Sequence, residues 1–162
     1  MPQEQSFWDF ACTVYDKEAL QRLLLTLQED LHLDVNCLLF CLWITSAGRG
    51  VEDEAFWNKL VQQSTAWQAD VIAPIRSARN SLKHNQYFEG DSGYGEYRKG
   101  LLKQELEAEK IQIDWMERTH SSATDYVTLS AEDSLLLYLN ALPFELTDEA
   151  REKVLTLRSF VL

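Results

Sequence analysis

The chain is predicted to be all-α, and three observations carry that prediction. Apolar residues recur at three- and four-residue spacing along most of its 162 residues. Residues that cap helix N-termini, several followed by acidic first turns, punctuate those runs. No strand-length alternation bounded by turns competes with them. Seven or eight helices with short connections describe a single-domain helical bundle or an orthogonal array, and helix count does not choose between the two. The length suits one domain over residues 1–162, and 46% hydrophobic with 11% aromatic residues supplies its core. Within it, residues 6–84 form a first helical half, residues 85–95 a Tyr/Gly-rich loop, and residues 96–162 the C-terminal helices. There is neither an internal repeat nor a low-complexity tract.

Ser6 is the expected N-cap of a helix from Phe7 to Tyr15, with Phe7, Phe10, Ala11 and Val14 on one face. Asp16 is expected to cap a second helix, whose Ala19, Leu20, Leu23, Leu24 and Leu27 share a stripe that ends near Leu31. Asp34 should cap the third, Val35 to about Ala47. That helix is apolar on nearly every side and so belongs at the centre, with Gly48 and Gly50 stopping it. A fourth begins in the acidic turn Glu52-Asp53-Glu54 and buries Phe56, Trp57, Leu60 and Val61. Ser64 or Thr65 either caps a new helix or lies inside a long one. From Trp67 to Lys83 the stripe is Trp67, Val71, Ile75, Ala78 and Leu82, with a kink expected at Pro74. After the loop a long helix runs from about Glu96 to Arg118. Ser130 and Thr147 open two short final helices, the first ending before Pro143 and the second carrying Ala150, Val154, Leu157 and Val161.

Spaced positions in the first half carry a resemblance: Phe7-Trp8-Asp9-Phe10, Tyr15, Leu27-Gln28, Asp34-Val35-Asn36, Leu38-Leu39 and Trp43, then Trp67, Val71, Pro74, Arg76, Arg79 and Lys83. Over about residues 6–83 the chain resembles an uncharacterised proteobacterial family of small helical proteins, a domain of unknown function. The resemblance implies a bacterial cytoplasmic protein and no particular reaction.

A net charge of −11 excludes nucleic-acid binding through a broad basic surface, and equally adsorption to anionic lipid. Acidity is uneven: residues 1–34 hold seven acids against two bases, residues 35–84 four against five. Three cysteines without a framework spacing fit a reducing cytoplasm, and Met1-Pro2-Gln3-Glu4-Gln5 has neither the basic nor the apolar region of a secretory leader. The most apolar run, Val35 to Ile44, is about half a membrane span and is broken by Asn36.

Several clusters look chemical in isolation. Glu29–His32 and Glu117–His120 have the Glu-x-x-His spacing of di-iron bundles, but both lie at helix ends and lack the two further glutamates that chemistry requires. His84 also lies at a helix end, where the dipole favours imidazolium. Cys37 and Cys41, four apart in an apolar helix, are core hydrophobes rather than zinc ligands. Asp30 and Asp34 have magnesium-diphosphate spacing in one copy only, and Asp34 is explained as a cap. Asn36 near the same N-terminus can satisfy free amides. No nucleophile elbow, phosphate-cradling loop or dinucleotide fingerprint occurs. No catalytic residue, metal or cofactor is therefore assigned, and the balance leans away from an enzyme.

Two features remain. Arg76, Arg79 and Lys83 project within one narrow helical sector, as an anion site or a docking strip for an acidic partner; the competing explanation is intramolecular pairing with the acidic first helices, or plain solvation. The loop aromatics Tyr87, Phe88, Tyr94 and Tyr97 suit a partner surface, unless they fold back over the core. The leading expectation is a helical protein–protein interaction or regulatory module. The alternative is a small-molecule-binding or catalytic bundle with a pocket lined by Trp8, Trp43, Trp57 or Trp67 and an anion held by Arg76 or Arg79. A homo-oligomer is a third reading, suggested by the apolar end Ser159-Phe160-Val161-Leu162.

Overall fold

A computed structural model describes residues 5–85 and 87–161. The leader reading at Met1–Glu4, the loop residue Gln86 and the terminal Leu162 lie outside the described residues. Among the described residues eight α-helices follow in order: α1 (Phe7–Tyr15), α2 (Glu18–Leu31), α3 (Val35–Ser46), α4 (Glu54–Trp67), α5 (Ala73–Lys83), α6 (Tyr94–Ser121), α7 (Ala131–Asn140) and α8 (Asp148–Leu155). A π turn (Gln68–Ile72) joins α4 to α5, and a 3₁₀ turn (Thr156–Phe160) follows α8. No helix among the described residues is long and apolar enough to cross a membrane.

The centre is α3, as its all-round apolarity requires: every residue from Asn36 to Ile44 is buried. Helices α1, α2, α6 and α7 lie against it. From α4, Phe56 and Trp57 reach the Phe40 ring, with centroids 6.1 and 5.9 Å apart. The aromatic start of the chain joins this core, since Phe7 stacks on Trp43 at 5.2 Å, and the Trp43 indole donates to Gln5 O at 3.0 Å. Four caps stand where the side chains predict them. Ser6, Asp34, Ser130 and Thr147 accept from the backbone amides of Asp9, Asn36, Asp133 and Ala150.

Asp16 is a correction: it closes α1, and α2 starts one residue later behind Lys17, without a side-chain cap. The Pro74 kink takes a particular form. Pro74 cannot donate to the carbonyl one turn back, and the chain absorbs this in the preceding π turn, where the Ala73 amide bonds Gln68 O five residues earlier. The extra residue in that turn shifts the helical phase. Ile72, outside the expected stripe, is the residue fully buried there, and Ala78 is left exposed. The long helix is longer than its pattern suggested, because Gly93 at φ 86° starts it at Tyr94 and it continues to Ser121. At the C-terminus, Phe160 and Val161 pack partly buried against the chain's own core.

Gly48, at φ 69°, turns the chain out of α3. Gly50 serves a different purpose. Its amide and carbonyl exchange hydrogen bonds with Val127 at 2.7 and 2.9 Å, tying down the segment after α6. A Cβ on Gly50 would meet Leu129 Cγ at 2.6 Å and Val127 O at 2.8 Å, and the second contact is with backbone held by those bonds. Gly50→Ala is therefore expected to lower unfolding free energy by about 1–3 kcal/mol in urea titration, as overpacking does, and Gly50→Val by more. Equal stability of all three proteins would show that the segment around Val127 yields freely.

Candidate functional site

Helix α6 passes through two environments. At 1.5 Å per residue its 28 residues span about 42 Å. Only its C-terminal part enters the main core, through Ile113 and Met116 with Trp115 against them. The N-terminal part packs against α5, which itself contains no fully buried residue and lies on α6 and the π turn. Together α5 and residues 94–111 make a two-helix arm.

Ion pairs fasten the arm. Arg76 Nε donates to Glu105 Oε1 at 2.7 Å and Arg76 Nη2 to Glu109 Oε1 at 3.0 Å, while Arg79 Nε donates to Glu105 Oε2 at 2.7 Å. The Glu105 side chain is only 6% exposed, against 26% and 18% for the two arginines. Burial pushes its carboxyl upward, but the hydrogen bonds and charges of Arg79 and Arg76 outweigh this and hold it below the ordinary carboxylate value. Glu109 shares one arginine with that neighbour. Burial dominates there and holds its carboxyl above the ordinary value. Two members of the basic sector thus face α6, with acids from that helix rather than from α1 and α2 as partners, and Lys83 stands exposed at the end of α5.

Where the arm meets the body, a polar cluster replaces the ion pairs. Gln112, 2% exposed, donates from Nε2 to Asp34 Oδ2 at 2.7 Å, and its Oε1 accepts from Asn36 Nδ2 and Gln68 Nε2, both at 2.9 Å. Asn36 thus reaches across to α6 instead of serving its own helix end. Burial pushes the Asp34 carboxyl above its ordinary value despite these bonds. One side chain from α6 thereby joins α3, its cap and the π turn.

The far end of the arm is aromatic and open. Tyr87 is 91% exposed, Tyr97 64% and Phe88 57%, so these rings do not fold back over the core. Tyr94 is half-buried, its hydroxyl donating to Leu82 O.

The remaining clusters disperse. His32 ends α2 in the left-handed conformation at φ 56°, exposed. His120 is buried, its Nε2 lying 2.8 Å from Arg49 O and its ring 4.9 Å from Tyr126, and Glu117 accepts the Phe7 amide at 3.1 Å as a cap for α1. Cys37 and Cys41 are buried and Cys12 is exposed. Burial pushes the Cys37 and Cys41 thiols well up, which disfavours thiolate. Asp30 meets Lys153 at the surface at 3.7 Å. Among the described residues no group of three His, Cys, Asp or Glu is placed to hold a metal. Of the four candidate pocket tryptophans, Trp43 and Trp57 are core, Trp8 lies beneath Lys110, and Trp67 alone lines a cleft.

Sequence reasoning missed Glu105, Glu109 and Gln112. Their signal was present: these residues share the α6 face that carries Leu101 and Ala108, a polar stripe at core spacing that makes sense only opposite arginines and a capping Asp.

Fold and site together define an all-helical protein with a buried central helix and an ion-paired arm. The chain belongs to the family described as a protein of unknown function (DUF2390), whose model matches residues 6–116. The match extends beyond residue 83 to take in the arm, Glu105, Glu109 and Gln112. No curated protein and no solved structure matches the chain.

The Glu105 carboxyl sets a pH dependence whose sign is fixed. Its folded value is depressed from an ordinary 4.5, so its stabilisation is complete above that pH and is lost as pH falls through the lower folded value. Glu105→Gln is expected to cost about 1–3 kcal/mol at pH 7, where it leaves two arginines facing an amide. The gap between wild type and variant should narrow steadily below pH 4.5. A gap that stays constant down to the acid transition would contradict the assignment.

Proposed function

We propose that the chain is a non-enzymatic protein-interaction module, a single helical domain working in a bacterial cytoplasm, and that the end of the α5–α6 arm is its contact surface. One observation carries this reading: five of the eight large apolar side chains that stand exposed among the described residues lie between Tyr87 and Leu106, on the arm. A clustering of that kind marks surfaces that meet another protein. Tyrosine suits the task, offering large area for few rotatable bonds.

Charge supports the same surface. Residues 73–111 carry seven bases and six acids, whereas the rest of the chain carries eight bases and twenty acids. The arm is thus the part another macromolecule can approach without strong repulsion from an acidic body. With Arg76 and Arg79 engaged by Glu105 and Glu109, the basic sector acts as a brace for the arm, and Tyr87, Phe88 and Tyr97, with Lys83 beside them, make the contact. The partner is a second protein with an apolar groove.

Quantitative affinity capture from the native cell tests this, comparing wild type with the Tyr87→Ser/Phe88→Ser/Tyr97→Ser triple variant. Helix content should be unchanged in the variant, because none of the three side chains is buried. A protein captured in stoichiometric amount by wild type should fall at least tenfold with the variant, the loss of about 1.4 kcal/mol or more expected when aromatic anchors are removed. Equal recovery by both proteins would contradict the proposal, as would a wild type that captures nothing.

A further inference from the structure

Along the flank of the arm, between its aromatic end and the body, α6 carries a second surface. At 100° per residue, Lys99, Leu102, Lys103, Leu106 and Lys110 fall within about 100° of the helix circumference, beside the face that Glu105 presents to α5. Leu102 is 43% exposed and Leu106 50%, and the three lysines are exposed as well. Lys99 lies 3.4 Å from Glu96, a surface pair too open to solvent to hold the lysine firmly. Where the stripe meets α1, the Lys110 ammonium stands over the Trp8 ring, 5.5 Å from its centroid. The result is a pair of leucines edged by lysines on a chain of net charge −11.

A complementary pattern occurs at the corner between α7 and α8. Residues 141–150 hold three acids, Glu145, Asp148 and Glu149, and no base. All three are exposed. Leu142 and Leu146 pack against the core, and Phe144 between them stands 42% exposed, the one large aromatic outside the arm to do so among the described residues. Anchoring on both sides holds the corner in place before any contact is made, which lowers the cost of binding. The bases that follow are engaged within the chain: Arg151 donates to Asn140 Oδ1 at 3.2 Å, Lys153 lies 3.7 Å from Asp30, and Arg158 lies 3.0 Å from Glu132.

We infer that the α6 stripe receives the α7–α8 corner of a second copy of the chain, Phe144 packing on Leu102 and Leu106 while the corner's carboxylates meet Lys99, Lys103 and Lys110. Both patches stand exposed in one molecule, so neither covers the other within the chain. Charge complementarity selects the occupant: lysines at the edge reject a basic surface and attract an acidic one, and the corner joins its acids to the ring that the leucines can bury. Repulsion between the two acidic bodies is screened beyond about 8 Å at physiological ionic strength, which leaves the local pairing to decide the contact. Each copy carries one stripe and one corner, so a two-fold pair makes the contact twice. Tyr87, Phe88 and Tyr97 take no part in it, and neither does the C-terminal end, whose Phe160 and Val161 pack on their own core.

Sedimentation equilibrium of the full chain tests the inference. Wild type should associate reversibly as its concentration rises from about 10 µM to 1 mM. Leu102→Ser/Leu106→Ser and Phe144→Ser should each weaken association at least tenfold, with helix content intact because all three positions are exposed. Lys99→Glu/Lys103→Glu and Glu145→Lys/Glu149→Lys should weaken it likewise. A chain carrying all four reversals keeps the net charge of −11 and should associate again. Lys17→Glu/Lys59→Glu, at exposed positions away from both patches, should associate as wild type does, which separates local pairing from net charge. The Tyr87/Phe88/Tyr97 triple variant should also associate normally, which separates this contact from the arm's aromatic end. A single-chain mass for wild type throughout that range would overturn the inference. So would association that survives either the paired leucine change or Phe144→Ser, or that fails to return in the fourfold reversal.

Discussion

A helix that is apolar all round must be covered all round, and α3 imposes that requirement on the rest of the molecule. Its twelve residues make a rod about 18 Å long, wrapped by α1, α2, α6 and α7 and sealed by the rings of α4. A rod that short can seat only part of a helix about 42 Å long. The remaining length of α6 must find another partner, and the chain supplies α5 by running back along it. The arm is thus a consequence of mismatched helix lengths, and its chemistry differs from the core because it has only one apolar neighbour.

The change of chemistry falls at Gln112. On one side are Ile113 and Met116, wholly within the core; on the other are Glu109 and Glu105, paired with α5. Gln112 itself is held by Asp34, Asn36 and Gln68, so the body closes with a polar seal instead of an apolar edge. Such a seal specifies geometry, because each member is satisfied in only one arrangement. Beyond it, Glu105 and its two arginines fix the angle of α5 with little hydrophobic burial to help, and the aromatic end is left for contact with something else.

Much of this was legible in the chain. Ser6, Asp34, Ser130 and Thr147 mark their helices by side-chain chemistry that acts within three residues, so local sequence suffices. The burial of α3 follows from composition alone. The shift of burial from Val71 to Ile72 could not be read by periodicity, because a π turn breaks the 100° step on which periodicity rests. The roles of Arg76 and Arg79 were half legible. Their shared sector was visible, but their partners lie 26 to 33 residues away, beyond a loop, and pairing at that range depends on how α6 docks. Asn36 was underestimated for the same reason: its partner is 76 residues distant. Ser64 could be placed inside a helix or at its cap, and docking of α4 puts it inside, buried.

The central claim is that core and arm are distinct in stability, the first held by burial around α3 and the second by ion pairs on α6. Native-state hydrogen exchange read residue by residue tests it most directly. Amides of α3 and of residues 113–120 should exchange only through global unfolding. Amides of α5 and of residues 97–106 should open at clearly lower free energy and together, as one unit, with the boundary at Gln112. Exchange of all these amides at a single common free energy would contradict the account.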